Sequence, residues 1–139
     1  MSGLFRFASV LVLVAIQALA SASGVRANQD EIIADGLEEY LDNCAACHGP
    51  EGLGDGKMAK MLLTPPADLT GIAERNGGEF PFWRIYETID GRDSETIHGT
   101  FQMPIFGERF RGQEKIYGYD PTGIRILLLT HYLQSIQKP

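Results

Sequence analysis

Two thiols and an imidazole fall in one short run, Cys44-Ala45-Ala46-Cys47-His48, and these are the chain's only two cysteines. Cysteines three apart with histidine directly after the second is the spacing of covalent c-type haem attachment. The order has a chemical reason. Thiols held one turn apart each add to a vinyl group of the same porphyrin, and the next residue falls under the ring. There its imidazole nitrogen binds iron as the proximal ligand. Two other chemistries use such cysteines. A zinc site lacks its second pair, and His98 and His131 do not have the short histidine spacing that would complete one. A thiol–disulfide oxidoreductase needs a βαβ pattern around the pair, which the flanks do not offer.

With His48 on one face of the iron, the group on the other face decides the use. Met58, Met61, Met103, His98 and His131 are the candidates. Met103 is favoured. It follows His48 by 55 residues, enough for a loop to reach the opposite face, and it precedes Pro104. Proline removes an amide donor and stiffens the backbone, as a strap over a cofactor requires. Met58 and Met61 follow the motif closely and read as packing residues. His98 is the rival, since it would convert His/Met ligation to His/His. His131 reads as a half-exposed surface residue.

The elements that position these groups are helical. Ile32, Ile33, Gly36, Leu37, Tyr40 and Leu41 recur at helical spacing between Asp30 and Asn43. Gly36 inside that helix costs about 1 kcal/mol relative to alanine, which a close helix crossing would offset. A last helix starts at Asp120-Pro121 and runs through Ile124, Leu127, Leu128, Leu129, Tyr132, Leu133 and Ile136. Its expected partner is the first helix, with Leu129 and Tyr132 meeting Gly36 and Tyr40. Shorter helices are expected at 58–63, stopped by Pro65-Pro66, at 70–75, closed by Gly77-Gly78, and at 81–90, ended by Gly91. The glycine-rich run 51–57 fails as a phosphate loop, because Met58 follows its lysine and no strand precedes it. It is expected to let the backbone pass close to a flat cofactor. No segment alternates with period two, so the class is all-α with long loops.

Residues 1–27 read as a secretory signal, with Arg6, a short apolar run from Phe7 to Ile16, and small-residue exits after Ala20, Ser23 or Ala27. The apolar run is shorter than the roughly 18 residues of a spanning helix. Cleavage leaves one domain, 28–139, with no stable membrane insertion and an exported, periplasmic location. It also removes two arginines and no acid, taking the formal charge from −6 to −8. Such acidity argues against nucleic acid, whose phosphates need a basic footprint. It suits a partner with a basic patch.

The attachment motif, the Met103-Pro104 strap and the Gly36/Tyr40 and Leu129/Tyr132-Leu133 helix pair together resemble class I cytochrome c. The runs Pro65-Pro66-Ala67-Asp68-Leu69-Thr70 and Met103-Pro104-Ile105-Phe106-Gly107 resemble its small bacterial monohaem members. The resemblance implies crossing N- and C-terminal helices, with short helices and loops wrapped around one covalent haem. It implies thioethers at Cys44 and Cys47, His48 proximal and Met103 distal to iron. It implies a proline carbonyl, at Pro65 or Pro66, accepting the proximal imidazole N–H. Arg75, Trp83 and Arg84 resemble positions that cover the haem or hold its propionates. The lysine-rich docking ring of mitochondrial cytochromes is missing.

Six-coordinate His/Met iron leaves no open position for substrate, and methionine favours the ferrous state. The expectation is an electron-transfer protein, not an enzyme. It would take electrons from a dehydrogenase or quinol-oxidising complex and deliver them to an oxidase or reductase. Arg109, Arg111 and Lys115, just past the strap, read as a solvated loop or a docking patch. The alternatives are an electron-transfer subunit of a dedicated dehydrogenase and a haem protein with a labile distal ligand, sensor- or peroxidase-like.

Overall fold

The computed structural model describes residues 28–91, 103–111 and 120–139. The chain divides into two compact units, Met1–Glu31 and Ile32–Pro139. Of the first unit the described residues are 28–31, which are helical. The signal segment, His98 and Lys115 lie outside the described residues.

Among the described residues every regular element is helical. Helix α1 spans 28–43, α2 Ala45–His48, α3 Ile72–Arg75, α4 Phe82–Asp90, α5 Phe106–Phe110 and α6 Thr122–Ser135, with 3-10 turns at Ala59–Met61 and Leu69–Gly71. The expectation of an all-α architecture holds. Asp120 starts α6 by accepting the Thr122 amide at 2.9 Å, an acidic cap placed where the first N–H groups lack partners. Gly91 ends α4 at φ 87°, its amide on the Glu87 carbonyl.

The core lies where α1, α4, α5 and α6 meet. Tyr40, Ile89, Phe106, Phe110, Ile126, Leu129, Tyr132 and Leu133 are its buried apolar side chains. Along α6 the spacing 126, 129, 130, 133 is one helical face. Ile124, counted with that face from sequence, is half exposed.

Helices α1 and α6 cross at Gly36, as its place inside a helix suggested. A Cβ there would collide with the Leu128 carbonyl oxygen and sit 2.8 Å from Tyr132 Cβ. The backbones therefore touch at a point where only glycine leaves room. One turn on, the Tyr40 and Tyr132 rings stand 5.0 Å apart. The Leu128 contact is through its backbone carbonyl, while Leu129 is buried in the same cluster as Tyr40 and Tyr132. Arg125 closes the outer edge, bonding Glu39 through two nitrogens at 2.7 and 2.8 Å while its guanidinium lies 3.8 Å from the Phe110 ring centroid. One side chain so joins α1, α5 and α6.

Helix α5 was not expected from sequence. It has five residues and no capping side chain. The Phe106/Phe110 pair, one helical turn apart with rings 5.4 Å apart, is the trace it leaves. Its start is set by close backbone approach: Gly107 packs on Asp90 and Gly91 on Ile105, each with no space for a Cβ. Met103, two residues before Ile105, packs against the core. Among the described residues no helix is long and apolar enough to cross a membrane.

Candidate functional site

The attachment run continues directly from α1. Cys44 donates its amide to the Tyr40 carbonyl at 2.8 Å, then turns the chain into α2, where His48 bonds back to Cys44 at 2.9 Å. Both thiols are free and partly buried. Burial, reinforced by Glu39 and Cys47 nearby and opposed by Arg109, pushes the Cys44 thiol up to about 12. It stays protonated across the physiological range.

A helix of four residues leaves its last carbonyls without intrahelical partners. The glycine-rich run supplies them. Gly54 donates to His48 at 2.8 Å, Gly56 to Cys47 at 3.1 Å and Met58 to Ala46 at 2.9 Å. A Cβ on Gly56 would lie 2.5 Å from both the Ala46 and Cys47 oxygens. At Gly56 the missing side chain makes room for the motif's own backbone, and at Gly54 for the Pro66 carbonyl. Gly49, at φ 83°, turns the chain out of α2, and its carbonyl accepts the buried Tyr40 hydroxyl at 2.6 Å. Tyr40 thus holds the motif at both ends.

His48 Nδ1 is 3.1 Å from the Ala67 carbonyl oxygen. A carbonyl only accepts, so Nδ1 carries the proton and Nε2 the lone pair of the neutral ring. Burial lowers the imidazole below its ordinary value, against the opposing pull of that hydrogen bond. Neutral imidazole with a fixed tautomer is the form that binds a metal. The acceptor is Ala67, not Pro65 or Pro66. The Pro66 oxygen instead lies against Gly54, 2.5 Å from where a Cβ on that glycine would sit. Successive carbonyls of an extended segment face opposite ways, and the one that reaches His48 is one residue later than expected. Since every residue carries a carbonyl, no side-chain signal marks it.

The other candidates scatter. Met103 is half-buried and packs against the apolar core, as does Cys44. Met58 and Met61 are 43% and 72% exposed, so the expectation that they are packing residues fails. A single 3-10 turn has no inward face to bury them. Trp83 is 66% exposed, its ring edge-on to Phe82 and Tyr86, and Arg84 is exposed on the same helix. Among the described residues no hydrogen bond or ring contact joins either to Cys44, Cys47 or His48. Arg75 donates to the Asp68 carbonyl at 2.6 Å, steadying the backbone next to Ala67. His131 is exposed against the Phe82 ring at 4.8 Å. Arg109 and Arg111 are exposed, Arg109 stacking 5.7 Å from Phe106.

The sequence model of the family Cytochrome c matches residues 33–114, more than half of the chain. The chain belongs to the cytochrome c family. No curated protein and no solved structure matches it. Membership brings covalently attached haem c with its iron, haem-based electron transfer and redox partners in general; members are generally electron-transfer proteins. The residues present fit the group. Two free thiols and a neutral imidazole with one committed nitrogen are the donor set that thioether attachment and iron ligation need. Among the described residues no cluster of three or more His, Cys, Asp or Glu side chains offers a competing metal site.

Proposed function

We propose that this cytochrome is an exported one-electron carrier with a single haem c, attached through Cys44 and Cys47 and ligated by His48 and Met103. The observation that carries the reading is the His48–Ala67 hydrogen bond. It leaves Nε2 as the free lone pair of a neutral, oriented ring beside two unpaired thiols.

When bound, the haem supplies the iron couple that gains and loses one electron. The chain's residues do the remainder. Tyr40, Gly54, Gly56 and Met58 fix the backbone of the attachment run. Ala67 holds the imidazole N–H, which strengthens the ring as a donor. Met103 brings a soft, neutral sulfur from a segment packed on the apolar core, and Pro104 after it limits its movement. With His48 and Met103 both holding the iron, the group would pass single electrons and offer no place for substrate. Residues 1–27 direct export, and the periplasm or an equivalent compartment is where the haem is attached and the partners are met. The acidic charge favours partners with basic patches, a dehydrogenase or quinol-oxidising complex on one side and an oxidase or reductase on the other.

Ligand binding tests the reading. The exported protein should carry the mass of one haem on both cysteines, begin after the signal, and resist carbon monoxide in the ferrous state and cyanide in the ferric state at neutral pH. Prompt uptake of either ligand would move the protein to the labile-distal class. An intact mass without haem would leave a dithiol protein instead.

A further inference from the structure

The backbone segment that offers the Ala67 carbonyl is itself held from the far end of the chain. Gln137, just beyond α6, uses its whole amide. Its nitrogen donates to the Leu69 carbonyl at 2.8 Å and to the Leu133 carbonyl at 2.6 Å. Its oxygen accepts the Ala73 amide at 2.9 Å. The next residue adds a backbone bond, Lys138 N–H to the Thr70 carbonyl at 2.9 Å. The Lys138–Asp68 ion pair at 2.9 Å is half exposed on the lysine side and adds little, as surface pairs do. The partly buried amide is the stronger tie, because losing it leaves a donor and two acceptors to be satisfied elsewhere.

From these contacts we propose that Gln137 is a positioning residue for the iron ligand His48: it pins residues 69–73 to the end of α6 and so fixes the neighbouring carbonyl that orients the imidazole. The proposal rests on the reading of His48 as proximal ligand. Leu69 N–H to the Gly52 carbonyl, at 2.7 Å, is the opposite anchor of the segment. Ala67 therefore sits just outside a stretch tied on one side to the attachment loop and on the other to α6. Loosening the α6 tie weakens the hydrogen bond to Nδ1, makes the ring a poorer donor and favours reduced iron.

The test compares Gln137→Ala with Gly36→Ala in the haem-loaded protein. Neither changes charge, and the second strains the helix crossing without touching residues 67–73. In Gln137→Ala, exchange of the His48 Nδ1 proton, followed by NMR, should speed by about tenfold through local opening. Electron exchange with a mediator should shift toward the reduced form by about threefold, the direction expected of a weakened outer partner. Gly36→Ala should lower the melting temperature with neither change. Unaltered Nδ1 exchange in Gln137→Ala, with the His/Met spectrum intact, overturns the proposal. Equal acceleration in Gly36→Ala also overturns it, since the effect would then be general destabilisation. A wild-type protein without imidazole ligation overturns the reading beneath it, which its own spectrum reveals before any variant is made.

Discussion

Residues 44–76 and the helical frame of α1, α4, α5 and α6 are held together by different forces. The frame buries eight apolar side chains against one another. Between 44 and 76 the buried residues are Gly49, Gly52, Gly56, Thr70 and Gly71, and no large apolar side chain is among them. That region is stitched by backbone hydrogen bonds, from Gly54, Gly56 and Met58 to the attachment run and from Leu69 to Gly52. Hydrogen bonds give a net of only about 1 kcal/mol each, whereas a buried leucine or phenylalanine gives about 1.5–3 kcal/mol. The attachment region thus has defined geometry and little core of its own. A covalently held haem would add apolar contact where this region has least of its own.

Removing the haem should break the comparison most visibly. A Cys44→Ala/Cys47→Ala chain should lose amide-exchange protection across 44–76 by orders of magnitude, while the buried face of α6 keeps more of its own. Equal loss in both regions would show that the frame depends on the haem as much as the attachment side does. Gly36→Val attacks the frame instead. A branched side chain facing the Leu128 carbonyl and Tyr132 should lower stability by about 3 kcal/mol or more in denaturant titration of the holoprotein. Tyr40→Phe targets the buried Tyr40–Gly49 bond that links the two regions. With the Gly49 carbonyl left to the Gly52 amide alone, at 3.2 Å, stability should fall by roughly 1 kcal/mol, with faster exchange at Gly52 and Gly54 than in α6.

The smallest effect belongs to Asp68. Hydrogen bonds from the Thr70 and Lys138 side chains hold its carboxyl well below the ordinary 3.8. A depressed carboxylate contributes stability above its unfolded value and loses it as pH falls through the folded one. Asp68→Asn should therefore change little at pH 7, where surface pairs are weak. It should flatten the stability profile below about pH 4, read from melting temperature against pH. A large loss at neutral pH would mean the exposed cluster is worth more than its solvent screening allows.

How much could be read from sequence follows the same division. The chemistry of the attachment run lies in consecutive side chains, so Cys44, Cys47 and His48 stand out at once. Helices α1, α4 and α6 are long enough for periodicity and end signals to mark them, and Gly36 signalled its crossing through the penalty it carries. What was missed depends on backbone. Ala67 acts through a carbonyl that any residue has, and a proline one position earlier drew the expectation. The bonds that Gly54 and Gly56 give to the His48 and Cys47 carbonyls become visible only once the chain has folded. Helix α5 has five residues and no cap, too short for a pattern. Met58 and Met61 read as packing residues because they follow the motif closely, yet they are 43% and 72% exposed.

The central claim is that Met103 closes the second axial position and so makes an electron carrier of a haem protein. The sulfur-to-iron charge-transfer band of the ferric protein tests it most directly. The band should be present in the wild type, vanish in Met103→Ala, and persist in Met58→Ala and Met61→Ala. A band that survives Met103→Ala, or is missing from the wild type, contradicts the assignment.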